Sequence, residues 1–218
     1  MTKSGDASID KKISNRIIQK LRRHYGDVTP ALEYKSIYQL TIAVVLSAQT
    51  TDRQVNQVTP DLFRKFPDFD SLSRAAIPAV ETIIKSTGFY HAKARNIVAL
   101  AKEAMNLFGG NLPADRALLM KLSGVGRKSA NVILSQGFGI PALAVDTHVG
   151  RIARRLGYTT EDDPDKVEAA LTGIIDHKNW TQSHLLFITH GRKICLARKP
   201  LCAQCPVSAE CAFPDKLS

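Results

Sequence analysis

Residues 122–151 read LSGVGRKSANVILSQGFGIPALAVDTHVGR, and no other stretch limits the fold as strongly. Gly124-Val125-Gly126 forms a tight turn, with apolar Leu118, Leu119 and Leu122 before it and Ala130, Val132 and Ile133 after it. Glycine reaches positive φ and lets a neighbouring backbone approach closely. Residues 115–121 and 127–136 both show helical spacing, so the unit is a helix–hairpin–helix. Amides at the start of the second helix point outward and suit one phosphate. Lys128 lies just past the turn, and Asp146 precedes Thr147-His148-Val149. A helix over 128–137 travels about 13 Å at about 1.5 Å per residue. Gly137, Gly139 and Pro141 stop it, and an extended return over 142–145, at about 3.3 Å per residue, covers a similar distance with the turn residues. Lysine and aspartate are therefore expected at one place, where an amine and a carboxylate beside a phosphate-binding turn suit chemistry on a sugar–phosphate chain. Each also has a plainer reading. A lysine in a first helical turn is commonly just exposed, and an aspartate before Thr-His is commonly the N-cap of a helix, here over 147–156.

The chain has 30 Lys and Arg against 20 Asp and Glu, a formal net charge of +10. That balance points to a polyanionic partner, nucleic acid or an anionic surface, with simple solubility as the alternative. No apolar run reaches the roughly 18 residues of a membrane span. The opening MTKSGDASIDKKIS has no apolar centre, which argues against a signal or transit peptide and for a cytoplasmic protein. Helical spacing recurs along the chain and strand-like alternation is scarce, so an all-α fold is expected.

Residues 1 to about 9 are expected to be disordered. Ile13, Ile17, Leu21 and Tyr25 then mark an amphipathic helix with a basic outer face. From Ser36, IYQLTIAVVLSAQ is almost wholly apolar and is read as a buried helix. It ends in Leu46-Ser47-Ala48-Gln49-Thr50-Thr51-Asp52, where Thr50, Thr51 or Asp52 can cap the next helix. Residues 55–66 form another amphipathic segment, and Ser71 is expected to cap the helix after it, which Gly88 ends. A long core-facing helix follows, marked by Ile97, Leu100, Ala101, Ala104, Leu107 and Phe108. Arg151, Arg154 and Arg155 on the 147–156 helix suit either a phosphate track or a solvated basic face. Asp163 and Pro164 start a helix to about Ile175, and Trp180 opens the last one.

All four cysteines stand at the C-terminal end, as Cys195-x6-Cys202-x2-Cys205-x5-Cys211. Such concentration argues for one metal site, and a cytosolic chain disfavours disulfides. Four thiolates suit either tetrahedral zinc or a [4Fe–4S] cluster, and spacing alone does not separate the two. A metal-pinned loop would present Arg198 and Lys199 as phosphate contacts.

The pattern L-x-G-V-G-x-K-x-A-N-V followed by A-V-D-T-H-V-x-R resembles the endonuclease III family of helix–hairpin–helix DNA glycosylases. The segments L-S-A-Q-x-T-D and G-x-Y-x-x-K-A and the cysteine spacing extend the resemblance over roughly residues 10–213. It implies two α-helical lobes with DNA between them. One is a six-helix lobe over 30–140. The other joins 1–29 to 141–218 and carries a [4Fe–4S] cluster loop at 195–211. It also implies a protein of the bacterial nucleoid that acts on damaged double-stranded DNA, and a monomer is the default expectation. By the same resemblance Gln49 enters the base stack, Ser47 and Asp52 contact a flipped base, and Phe89 is a wedge where the family more often has a smaller aliphatic residue. The hairpin Gly124, Val125 and Gly126, with His148 and Arg151, would line the backbone. The implied chemistry follows from the groups. A base must leave the duplex to be reached. Lys128 attacks C1′, expels the base and leaves an imine, after which β-elimination cuts the strand. Asp146 stabilises positive charge at the sugar. Burial and the helix start are expected to make the amine of Lys128 available in neutral form. Two other readings differ at the same residues. Relatives that remove adenine or mismatched thymine generally lack a lysine at 128, and a structure-specific binding module with a zinc knuckle would need neither Lys128 nor Asp146.

Overall fold

The computed structural model describes residues 9–214, and the regular elements among them are all helical. The expectation for the first residues lies outside that range, except that Ile9 is buried in a core and therefore departs from it. Helix α1 (Lys11–Tyr25) begins where Asp10 accepts from the Ile13 amide at 2.7 Å and ends at Gly26. Ile17, Ile18 and Leu21 are buried, while Lys11, Arg16 and Arg23 face solvent. Helix α2 (Ile37–Leu46) starts at Ser36 and is buried on every side from Leu40 to Leu46. That enclosure is why it carries no polar stripe. Helices α3 (Asp52–Lys65), α4 (Phe69–Ser73), α5 (Ile77–Ile84), α6 (Tyr90–Phe108), α7 (Arg116–Leu119) and α8 (Arg127–Val132) follow, and α8 runs on as a π-helical turn over Ile133–Gly137. The last three are α9 (Thr147–Leu156), α10 (Pro164–Ile174) and α11 (Trp180–Lys193).

Two compact units result. Pro30–Ile140 forms one, and Met1–Thr29 with Pro141–Ser218 forms the other. In the first, α3, α6, α8 and the π-helical turn pack on α2. A Cβ at Gly137 would lie 2.8 Å from Ile37 Cδ1 and 2.9 Å from Leu40 Cδ2, so the absent side chain lets the π-helical turn close on α2. In the second, α9 packs on α10 and α11, and α11 packs on α1. Ile17, Leu21, Val149, Ile152, Leu186 and Phe187 are central to its core.

Two expectations are corrected. Asp68, not Ser71, caps α4: it accepts from the Ser71 amide at 2.8 Å while its own amide donates to the Ser71 hydroxyl at 3.3 Å. The helix starts earlier because Phe69 and Leu72 are both buried, and the next helix, α5, begins without a side-chain cap. Leu107 is 54 % exposed. The buried face of α6 runs through Ile97, Leu100, Ala101 and Ala104 and continues at four-residue spacing to half-buried Phe108, which turns Leu107 outward.

Candidate active site

The hairpin is built from a glycine and a carboxylate. Gly124 has φ +80, and a Cβ there would lie 3.0 Å from Val45 Cγ1. Both facts exclude a larger residue without movement. Glu103 on α6 accepts from the Ser123 amide at 2.6 Å and from its hydroxyl at 2.7 Å, which pins the turn from behind. Val125 is buried beneath it. Gly126 opens α8 without a side-chain cap. Lys128 stands in the first turn of α8 and is exposed, so burial within the protein does not provide the desolvation expected from the sequence.

Asp146 is half-buried and is the N-cap of α9, accepting from the Val149 amide at 2.8 Å through Oδ1. The plainer reading of this aspartate is therefore correct as local structure, and it leaves the second carboxylate oxygen outside the cap bond. The arginines of α9 have a destination the sequence did not disclose. Arg151 donates through Nε to the Cys195 carbonyl at 3.1 Å and through Nη2 to the Gly191 carbonyl at 2.9 Å, with His148 Nδ1 at 3.1 Å. Burial lowers its pKa, opposed by the Cys195 and Asp146 charges. Arg155 donates to the Leu196 and Ala197 carbonyls at 2.6 and 3.0 Å and lies over the Phe213 ring at 4.5 Å. Arg154 pairs with Asp162 at 3.1 Å. Arg151 and Arg155 thus fasten the cysteine segment to α9, while Arg154 lies with an exposed carboxylate.

That segment lines one small pocket, and Cys195, Cys202, Cys205 and Cys211 all border it with Ile152, His190 and Phe213 among others. Among the described residues no three His, Cys, Asp or Glu converge closely enough for a single metal ion. Four thiols around one pocket are a donor set that zinc and iron–sulfur centres both use. His190 Nδ1 lies 2.9 Å from the Tyr25 hydroxyl and Nε2 lies 3.6 Å from Cys205 Sγ. Burial, aided by the His24 charge, brings His190 down to about 4, so it is neutral at physiological pH. Lys20 adds an ion pair to Glu210 at 2.7 Å. Outside the cavity, Arg198 and Lys199 are exposed, and Lys199 has φ +49.

Among the described residues, three that are not glycine have positive φ, namely Gln49, Phe89 and Lys199. Such backbone is disfavoured by about 1–2 kcal/mol per residue and persists only where the surroundings impose it. All three are exposed, and the sequence singled out all three as DNA contacts. Phe89 is 70 % exposed, which rules out a core aromatic. Gln49 and Phe89 sit on adjoining turns: the Thr50 hydroxyl donates to the Thr87 carbonyl at 2.6 Å. The Ser47 hydroxyl donates back to the Val44 carbonyl at 2.7 Å, and Asp52 is half-buried at the start of α3. The residue that sequence reasoning passed over is Lys93. It lies inside the G-x-Y-x-x-K-A segment, but nothing in a helical sequence says that a lysine will be only 5 % exposed.

A helix–hairpin–helix followed by a capped aspartate defines a class of DNA-repair proteins, and residues 42–177 match the family model of the HhH-GPD superfamily of base excision DNA repair proteins. The chain is 41 % identical over 202 residues to endonuclease III of Synechocystis sp., covering 92 % of each, and 41 % identical over 202 residues to endonuclease III of Rickettsia conorii, covering 93 % of the chain and 96 % of the relative. The solved structure of a trapped endonuclease III–DNA covalent intermediate superposes with a TM-score of 0.89 at 40 % identity, covering 94 % of this chain and 96 % of that one. The chain belongs to the endonuclease III family of this superfamily.

Proposed function

We propose that this chain is a bifunctional DNA glycosylase and abasic-site lyase of base-excision repair, with oxidised pyrimidines in duplex DNA as its substrates. The observation that carries the reading is the exposed amine of Lys128, in the first turn of α8 just behind a hairpin pinned by Glu103. Likeness to a protein captured as a covalent intermediate with DNA supports it. An ammonium cannot attack, so the reacting form of Lys128 is the neutral amine. The nitrogen lone pair then bonds to C1′. The bond from C1′ to the base breaks, and its electrons leave with the base, which takes up a proton. Asp146 faces the positive charge that builds on the sugar. Loss of water or ring oxygen from C1′ gives the imine, which acidifies the C2′ hydrogen. Removal of that proton expels the 3′ phosphate and cuts the strand.

Gln49 fills the gap left by the extruded base and Phe89 wedges beside it, a manoeuvre whose unstacking costs a few kcal/mol. Ser47 and Asp52 meet the flipped base. The hairpin amides at Gly124, Val125 and Gly126 hold one phosphate, and Arg198 and Lys199 hold another. His148 and Arg151 contribute through the ties between α9 and the cysteine segment. Cys195, Cys202, Cys205 and Cys211 would hold a [4Fe–4S] cluster. When bound, that cluster cross-links the segment and keeps Arg198 and Lys199 in place, and no step of the reaction passes through it. The protein works as a monomer in the cytoplasm, at the nucleoid.

The test is borohydride trapping on a duplex with one thymine glycol. The wild type should give a covalent protein–DNA adduct, and Lys128→Gln should bind the duplex and give none. An undiminished adduct with Lys128→Gln would move the nucleophile elsewhere. Base release by the wild type with no adduct at all would make the enzyme a water-using glycosylase.

A further inference from the structure

Among the described residues, Lys93 is the one lysine that is buried. It stands in the first turn of α6, and its ammonium reaches back beneath two turns of the chain. Its Nζ donates to the Thr50 hydroxyl and, at 2.9 Å, to the Thr87 carbonyl. Thr50 in turn donates to the same Thr87 carbonyl at 2.6 Å. The Lys93 amide donates to the Phe89 carbonyl at 3.1 Å. One side chain thus joins the residue after Gln49 to the turn that carries Phe89. Desolvation by burial lowers the pKa of this lysine, so its placement opposes charge and is compensated by these hydrogen bonds.

The two residues it stands behind share two properties. Gln49 has φ +52 and Phe89 has φ +46, although neither is glycine, and both side chains face solvent. Backbone of this kind is held only when neighbouring bonds leave no alternative. Thr50 follows Gln49 directly and Thr87 lies two residues before Phe89, so the tie acts where the two strained residues join the fold. An apolar residue at 93 would fill the space but would hold neither turn to the other. A hydrogen-bonding cation with three donors does both.

We propose that Lys93 is a positioning residue for base extrusion: through Thr50 and Thr87 it locks the Gln49 turn and the Phe89 turn into one rigid head that enters the duplex as a unit. This rests on the reading that Gln49 and Phe89 enter the stack. Lys93 touches no reacting atom. Its effect falls on how well the gap is filled when a nucleotide leaves the duplex, where a displacement of about 1 Å can lower a rate about a hundredfold.

The experiment compares single-turnover cutting of one abasic site in a duplex with cutting of the same site in a single strand, which has no stack to enter. In Lys93→Met and in Thr50→Val the duplex-to-single-strand rate ratio should fall about tenfold or more, and Thr50→Ser should restore it. Gln49→Ala should lower the ratio in the wild-type background and lower it less in Lys93→Met, because a loosened head gains little from its own side chain. If Lys93→Met melts out of the folded state, the Thr50 pair carries the comparison. A ratio that stays at the wild-type value in both Lys93→Met and Thr50→Val, while Gln49→Ala reduces it, overturns the role of Lys93 and leaves the reading of Gln49 standing. If Gln49→Ala and Phe89→Ala also leave the ratio unchanged, the reading beneath the proposal fails with it.

Discussion

Asp146 carries two duties that one substitution can separate. Its Oδ1 caps α9 through the Val149 amide, and its charge is the group proposed to face the sugar. Asparagine is about as good an N-cap as aspartate, whereas alanine typically loses about 1 kcal/mol of stability there. Asp146→Asn should therefore melt at the wild-type temperature while its single-turnover base release falls by about 10²–10³, the usual loss when one electrostatic contact to a developing charge is removed. Asp146→Ala should show the same kinetic loss with a lower melting temperature. If Asp146→Asn releases base at the wild-type rate, the carboxylate is only a cap. The same separation of local structure from chemistry applies to Lys128: its place behind Gly126 could be read from the sequence, but its exposure depends on what packs around α8, and that is a tertiary property.

The hairpin shows how an element acquires precision that its own residues do not supply. Gly124 permits the turn, but Glu103, on a different helix, holds it through two hydrogen bonds to Ser123. A hydrogen bond to a charged acceptor contributes about 1.5–3 kcal/mol, and at a half-exposed turn water replaces part of the pair, so the net loss is about the size of one such bond. Glu103→Ala should lower stability by roughly that amount, raise amide exchange selectively over 122–127 and weaken binding to an abasic duplex; Glu103→Gln, which keeps one acceptor oxygen, should fall between. Uniform exchange across α6 and α8 in Glu103→Ala would mean that the carboxylate does not hold the turn. What the sequence disclosed and what it concealed divide along this line. The helix–hairpin–helix, the buried character of α2 and the extent of α9 follow from local spacing, glycines and caps, and the structure agrees with each. The destinations of Arg151 and Arg155 depend on carbonyls some forty residues away in the chain. The cap of α4 is ambiguous in the sequence because Asp68 and Ser71 are both good capping residues, and only the burial of Phe69 decides between them. Lys93 was invisible as a buried group for the same reason.

Taken over the full chain, the charge of +10 overstates what is available to a polyanion. Arg151 and Arg155 are taken up by carbonyls of the cysteine segment, Lys20 is paired with Glu210, and Lys93 is enclosed. The binding charge must come from exposed cations such as Arg198 and Lys199, which stand on a loop that Arg155 holds from within. Lys199 allows that charge to be tested apart from the fold, because its φ of +49 is one that glycine adopts without strain. In Lys199→Gly, relief of left-handed strain offsets the extra freedom of the unfolded chain, so stability should change by less than about 1 kcal/mol. Each phosphate contact contributes close to one unit to the slope of log affinity against log salt, so the same substitution should reduce the slope on an abasic duplex by about one. Lys199→Arg keeps the charge and should keep the slope. A slope unchanged in Lys199→Gly, at unchanged stability, would remove this loop from the phosphate contacts and leave its left-handed lysine without a function in binding.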